Sequence, residues 1–300
     1  MTSSWSLTGN AIIQGIAEPP GAYWAAQMQA YGTPIVAGVQ AGRGGDRLGE
    51  IPIFDLVEQA VQAAPDVTTS ILFNSPYEAL DAGLEAIAAG LRQLILTTPD
   101  LPPLDLLRLR DQAAAAGTRI LGPGGAGVIV PGKLAWGALA TDCYSPGAIA
   151  LLSRSHGLLD ELASELSRAG LGQSLAVELG SGASLGSEAE AWLPLLAADP
   201  STEAIVLIEQ HLLDSHTATT LSTQALPKPL LAYITGQTIT AERPPQEAAT
   251  EIASQFVQPA PHTSTAKQKI AAYKKARVPV ARHPTQLIKL LHQQLPPPPP

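Results

Sequence analysis

Short apolar, β-branched runs alternate along this chain with longer stretches whose apolar residues recur at helical spacing. That alternation predicts βαβ units and an α/β fold with parallel sheets. In the first half, strands are predicted at Ala11–Gln14, Ile35–Val39, Ser70–Phe73, Leu94–Thr97 and Arg119–Leu121, with helices near 22–31, 55–63, 77–90 and 104–116. A second series has strands at Ala148–Leu152, Ser174–Glu178, Ala204–Ile208, Leu230–Ile234 and Val278–Val280. Its helices fall near 157–169, 187–198, 213–225, 266–276 and 284–294. Right-handed crossovers then set helices on both faces of each sheet.

Between the two series the rhythm fails. Pro123, Gly124, Gly125, Gly127, Pro131 and Gly132 crowd the run that begins at Gly122, and Pro146-Gly147 closes it. Such a cluster of breakers reads as a connection. It gives domains at 1–125 and 147–294, joined through 126–146. The stretch 238–265 carries four prolines and no clean period, which predicts a long irregular loop. Residues 295–300 read as an exposed polyproline tail.

Composition narrows the function classes. A length of 300 residues exceeds one average core and fits two domains. With 26 acidic against 18 basic residues the formal net charge is −8, so the surface repels phosphate backbones and nucleic-acid binding is not expected. One cysteine, Cys143, excludes an internal disulfide and a thiolate metal cluster, and no metal of the chain's own is expected. No run of about 18 apolar residues is present to span a bilayer. The first residues lack the basic and apolar regions of a secretory leader. These features predict a cytoplasmic protein with no membrane partner.

In open α/β sheets a ligand lies beyond the carboxyl ends of the strands, where turns feed helix starts. Four turns qualify. Gly15-Ile16-Ala17-Glu18-Pro19-Pro20-Gly21 has glycines spaced like a dinucleotide loop. However, Glu18 puts a carboxylate where a phosphate would lie, and two prolines remove N–H donors, so an ordinary strand-to-helix turn is the competing reading. Arg43 among Gly42, Gly44 and Gly45 suits either a phosphate held by backbone and cation or a plain surface turn. Ser153-Arg154-Ser155-His156-Gly157 opens a helix, where hydroxyl residues serve as caps or, with the helix dipole, hold an anion. Glu209 and His211 share one side of an extended chain, but two ligands without a third are weak grounds for a metal.

Longer motifs then carry a resemblance. They are Tyr31-Gly-Thr33, Val39-Gln-Ala-Gly-Arg-Gly-Gly45, Leu48-Gly-Glu-Ile-Pro-Ile-Phe54, Leu121-Gly-Pro123, Gly127-Val-Ile-Val-Pro-Gly132, Leu152-Ser-Arg-Ser155, Gly170-Leu-Gly-Gln-Ser174 and Asp199-Pro-Ser-Thr-Glu-Ala-Ile-Val206. Over roughly residues 8–292 the chain resembles the α subunit of succinyl-CoA synthetase (succinate–CoA ligase). The resemblance implies a Rossmann-like CoA-binding domain and a flavodoxin-like ligase domain. It also implies an ATP-grasp β-type partner subunit and a phosphohistidine that shuttles between nucleotide and acyl substrate. On the matching positions it implies coenzyme A near Gly15, Gly21, Arg43, Gly44, Gly45, Asn74 and Pro76, and an anion at the helix start formed by Ser153, Ser155 and Gly157.

Departures from the family pattern fall on the chemistry. Ile16-Ala17-Glu18-Pro19-Pro20 replaces the phosphate loop, and Gly124-Gly125-Ala126 replaces Asn-Cys-Pro. His156 stands where a glycine makes room for the phosphorylated ring, and Gln210 stands where a glutamate steadies it. The region that aligns with Gly-His-Ala-Gly-Ala reads Pro245-Gln-Glu-Ala-Ala-Thr-Glu-Ile-Ala-Ser254, without a histidine. The expectation is a homologue without phosphohistidine ligase activity, acting as a CoA- or nucleotide-binding or regulatory subunit, with coenzyme A binding weakened. The alternative is a working acyl-CoA ligase α subunit with a relocated nucleophile, His262 or His156. A CoA- or nucleotide-sensing module without a ligase partner is a third class.

Overall fold

The computed structural model describes residues 5–155, 157–180, 189–210, 218, 221, 226–237 and 266–295. The chain divides into two compact units, 1–141 with 179–187 and 142–178 with 188–300.

Seven strands build the sheet of the first unit: β1 (Asn10–Gln14), β2 (Ile35–Val39), β3 (Arg47–Leu48), β4 (Ile51–Phe54), β5 (Val67–Leu72), β6 (Gln93–Leu96) and β7 (Arg119–Leu121). Their order is β3-β4-β2-β1-β5-β6-β7, parallel throughout except for the β3–β4 pair. Helices α1 (Pro19–Ala30), α2 (Val57–Ala63), α3 (Ala79–Ala88) and α4 (Pro103–Ala116) provide the crossovers. Because both faces are covered, the strands are continuous apolar runs rather than alternating ones. Buried polar residues on β1, β5 and β6 interrupt these runs and bond to one another. Ser70 donates to Gln14 Oε1 at 2.7 Å, and Gln93 Nε2 donates to Thr69 at 2.8 Å.

Winding proceeds from β1 outward through β2 and β4, then returns to β5 and runs the other way. The reversal lies between β1 and β5. There α1 approaches β1 so closely that a Cβ on Gly21 would overlap the Gly15 carbonyl oxygen. Gly15 itself has φ +73°, and a Cβ on it would lie 2.8 Å from the Asn74 nitrogen.

Two hairpins were not foreseen. The motif Leu48–Phe54 forms β3 and β4, whose two-residue edge strand is too short to show a period. The Pro- and Gly-rich run expected as a connection folds as β8 (Gly127–Val130) and β9 (Leu134–Gly137), an antiparallel pair. Val128, Ile129 and Trp136 on it are fully buried. Thr33, after α1, clasps this hairpin: its hydroxyl donates to the Ala135 carbonyl and accepts the Ala135 N–H, each at 3.0 Å. Gly132 N–H donates to the Tyr31 hydroxyl at 2.7 Å.

In the second unit, β10 (Pro146–Ser153), β11 (Gln173–Glu178), β12 (Ala204–Glu209), β13 (Leu230–Ile234) and β14 (Val280–Ala281) pair in parallel in the order β14-β13-β12-β10-β11. That is the doubly wound flavodoxin-like order, with its reversal between β10 and β12. Helices α5 (Leu158–Arg168), α6 (Ala189–Ala198), α7 (Ala266–Lys275) and α8 (Pro284–Gln294) accompany it. On α5 the buried set is Leu159, Leu162, Ala163 and Leu166, a single helical stripe. Of the helix expected at 213–225, Ala218 and Leu221 are described and helical; the remainder, the 238–265 loop and residues 296–300 lie outside the described residues.

Gly21→Ala tests the close approach of α1. Helix propensity alone favours alanine by about 1 kcal/mol. The overlap with Gly15 reverses the sign, so the variant should lose about 1–3 kcal/mol of stability in urea unfolding followed by circular dichroism.

Candidate functional site

At the reversal in the first unit the structure brings Gly15, Gly21 and Asn74 together, with Pro76 in the loop that follows β5. The start of α1 is poor in donors. Glu18 is the N-cap, makes no side-chain capping bond, and is followed by prolines at the first two helical positions. Of the four amides that a helix start presents, those of Pro19 and Pro20 carry no hydrogen, and the Glu18 N–H donates to the Gly15 carbonyl at 3.0 Å. In the turn after β2, Gly44 N–H donates to Asp55 Oδ1 at 2.9 Å and Gly45 N–H to the Ile53 carbonyl at 3.0 Å. Arg43 Nε pairs with Asp46 at 2.6 Å.

Two side chains of this crevice stand out for what they lack. Gln40 ends the run after β2 and Asn74 the run after β5, on either side of β1. The Gln40 Oε1 and Asn74 Oδ1 atoms are buried and accept no hydrogen bond. Thr97 and Thr98, after β6, donate their hydroxyls to the Leu72 carbonyl at 2.7 Å and the Asn74 carbonyl at 2.5 Å. Sequence reasoning passed over Gln40, Thr97 and Thr98. The available signal was a polar residue directly after a buried apolar strand.

At the reversal in the second unit, Ser153, Ser155 and Gly157 lie together between β10 and α5. Ser153 is fully buried, and its hydroxyl accepts Ser155 N–H at 3.0 Å and donates to the Ser155 carbonyl at 3.1 Å. That hydroxyl shapes the turn. Gly157 is the N-cap of α5 with φ +76°, and the first turn already holds Asp160 and Glu161, whose charges complement the helix dipole.

The neighbouring strand end carries a buried ion pair. Glu209, the last residue of β12, meets Lys269 of α7 at 2.8 Å, with the two side chains 1% and 0% exposed. Lys269 also donates to the Gln210 carbonyl at 2.7 Å. One turn along α7, the buried Tyr273 hydroxyl is pushed well above its usual pKa, first by burial and then by the negative charges of Glu209 and Glu190, with Arg154 opposing. His156, His262 and His211 lie outside the described residues; among the described ones, His283 and His292 sit exposed at the two ends of α8. The described residues contain no group of three or more His, Cys, Asp or Glu side chains placed to hold a metal. No described helix is long and apolar enough to cross a membrane.

Comparison with known proteins places this geometry. Residues 7–100 match the family model described as CoA binding domain, and residues 146–284 match the succinyl-CoA ligase like flavodoxin domain. The α 2 subunit of an ADP-forming succinate–CoA ligase from Archaeoglobus fulgidus is 30% identical over 95% of this chain and 96% of its own length. The corresponding α subunit from Aquifex aeolicus is 32% identical over 92% of this chain and 89% of its own. The chain belongs to the succinate–CoA ligase α-subunit family. A malate–CoA ligase α subunit from Methylorubrum extorquens is 37% identical over 66% of this chain and 68% of its own length. Among solved structures, ATP citrate lyase from Methanothrix soehngenii shares the fold with a TM-score of 0.80 at 20% identity over 98% of this chain, which spans about half (52%) of that protein's length.

Within this succinate–CoA ligase homologue, most of the matching motifs have structural work. Tyr31 and Thr33 hold the β8–β9 hairpin. Asp199 accepts from Ser201 N–H at 3.0 Å and from the Thr202 hydroxyl at 2.6 Å, and Thr202 in turn meets Ser174 at 2.7 Å. Against the raising effect of its partial burial, these bonds and the positive charge of Lys228 hold the Asp199 carboxyl below its usual pKa. Gln173 accepts Ser145 N–H at 3.2 Å and donates to the Leu171 carbonyl at 3.0 Å.

Two measurements follow from the buried cluster. Lys269→Met leaves Glu209 without a counter-charge and should cost about 3–5 kcal/mol, while adding Glu209→Gln should recover most of that loss in a double-mutant cycle. Tyr273 keeps its proton when folded and releases it near pH ~10 when unfolded. Its contribution is therefore full below pH ~10 and is lost as pH rises further. Urea midpoints between pH 9 and 11 should fall less steeply for Tyr273→Phe than for the parent chain.

Proposed function

We propose that this chain is a cytoplasmic α-type subunit that binds a CoA-type ligand in its first unit, carries out no phosphohistidine relay, and serves as a binding or regulatory subunit beside an ATP-grasp β-type partner. The observation that carries this reading is the Glu209–Lys269 pair. A phosphorylated imidazole in the second crevice needs a carboxylate to steady the ring and donors to hold the phosphate. Here the carboxylate at the end of β12 is neutralised by a buried ammonium, and the next residue is the amide Gln210. The Ser153 hydroxyl is tied into its own turn.

Sequence adds to this. Residues 245–254, which align with the phosphohistidine motif, contain no histidine. A covalent relay divides one hard step into two, and without its nucleophile the remaining site cannot reproduce that division. Support for a CoA-type ligand comes from the CoA binding domain match. Support for a partner comes from the relatives, which are named as α subunits of ADP-forming ligases.

Incubating the chain with radiolabelled ATP and a β-type subunit of the family, then assaying acid-labile phosphate, tests the reading. No label should appear on this chain, while an authentic α subunit in parallel should take it up. Label that disappears in His262→Asn or His156→Asn would establish a relocated nucleophile and overturn it.

A further inference from the structure

We infer that the outer face of α7, with the turn that follows it and α8, is a docking surface for an acidic protein partner. The inference concerns the second unit alone and does not depend on the CoA-type reading of the first. It begins with the distribution of charge. All 26 acidic residues lie before residue 252, together with 11 of the 18 basic ones; from residue 252 onward there are seven Lys and Arg and no Asp or Glu. Lys269 is the buried partner of Glu209. The other six, Lys267, Lys274, Lys275, Arg277, Arg282 and Lys289, are exposed. Among the described residues none of the six makes an ion pair. Like charges gathered in one region repel one another, and an arriving anionic surface relieves that repulsion.

Ordinary helix electrostatics does not account for the arrangement. Cations in the last turn complement the helix dipole, which covers Lys274 and Lys275. The same dipole disfavours a cation at a helix start. Yet α7 carries Lys267 in its first turn, and Arg282 and His283 stand directly before α8. Helices α2 to α6 each have an acidic residue in the first turn; α7 and α8 have none.

Arg277 is the sharper sign. Helices α1, α3, α4 and α5 terminate at Gly32, Gly90, Gly117 and Gly170, all at positive φ. The amide after each returns to a carbonyl five residues back: Thr33 to Met28, Leu91 to Ala86, Thr118 to Ala113 and Leu171 to Leu166. The end of α7 has the same bond, from Val278 N–H to the Tyr273 carbonyl at 2.9 Å, but the residue in the turn is Arg277 at φ +61°. A side chain in that conformation is unfavourable, and glycine is the usual occupant. An exposed arginine held where the backbone favours glycine is accounted for by what its guanidinium meets.

The surroundings decide which anion fits. Residues 1–251 hold 26 acidic against 11 basic residues. A nucleic acid or a bilayer would extend past the patch and meet that negative surface, whereas an acidic protein face of limited extent meets the patch alone. Lys267 and Lys274 lie two turns apart on one side of α7, about 11 Å, within the span of a single acidic helix or loop.

Fluorescence anisotropy of the full chain with a labelled oligoglutamate peptide, at 50 and 300 mM NaCl, tests this. A single-stranded oligonucleotide of equal charge and phosphatidylserine-containing vesicles are measured in parallel. The peptide should bind most tightly and lose at least fivefold in affinity at the higher salt. Lys274→Glu combined with Lys275→Glu should weaken it at least tenfold. Arg108→Glu combined with Lys133→Glu, which reverses two exposed cations of the first unit, should change it less than twofold. Arg277→Gly should raise the urea midpoint and still weaken the peptide at least threefold, a loss of binding in a more stable chain that misfolding cannot produce. No binding, an equal loss in the first-unit variant, or Arg277→Gly without effect on binding overturns the inference. Tighter binding of the oligonucleotide or the vesicles overturns it too, as does a dimer in light scattering that the Lys274 and Lys275 reversal dissociates, since the occupant is then a second copy.

Discussion

A parallel sheet whose winding reverses direction must leave two neighbouring strands with their following helices on opposite faces, and the gap beyond those strand ends is the one place where nothing in the fold obliges a side chain to fill it. Both units of this protein have such a reversal, between β1 and β5 and between β10 and β12. The surrounding architecture can be built from interchangeable apolar residues.

The two gaps have been filled differently. In the first, backbone comes against backbone, and Gly15 and Gly21 are small because a Cβ at either would meet main-chain atoms. Pro19 and Pro20 bring no N–H to the start of α1, and the Gly44 and Gly45 amides in the next turn donate to Asp55 and Ile53. At the end of β12 in the second, Glu209 is met by the buried Lys269 and Tyr273 of α7. Burying two charges gains little in itself against a well-packed apolar alternative, whereas removing one partner leaves the other uncompensated.

Only part of this could be read from the amino-acid order. The long strands and helices were legible because each is a run with a single period, such as Leu159, Leu162, Ala163 and Leu166 on α5. The family was legible because the Asp199–Thr202 turn, the Tyr31–Thr33 corner and Gln173 are local structures with fixed residue requirements. The hairpins were not. Arg47–Leu48 is too short to have a period, and β8–β9 is recognisable only once Thr33, about a hundred positions away, is known to clasp it. Nor could spacing show that Glu209 pairs with Lys269, sixty residues on, rather than with His211, since that pairing depends on where α7 returns to the sheet. The amides of Gly44 and Gly45 illustrate the same limit: glycines near an arginine suggest a phosphate cradle, yet Asp55 and Ile53 have claimed the donors.

The clasp on β8–β9 also decides where this polypeptide can be divided. A cut at residue 125, the boundary suggested by the density of glycine and proline, would strip the first half of the two strands that carry Val128, Ile129 and Trp136 and would leave the Thr33 hydroxyl with neither its acceptor nor its donor. A fragment meant to keep the Thr33 hydroxyl paired has to include Ala135, ten residues past that cut.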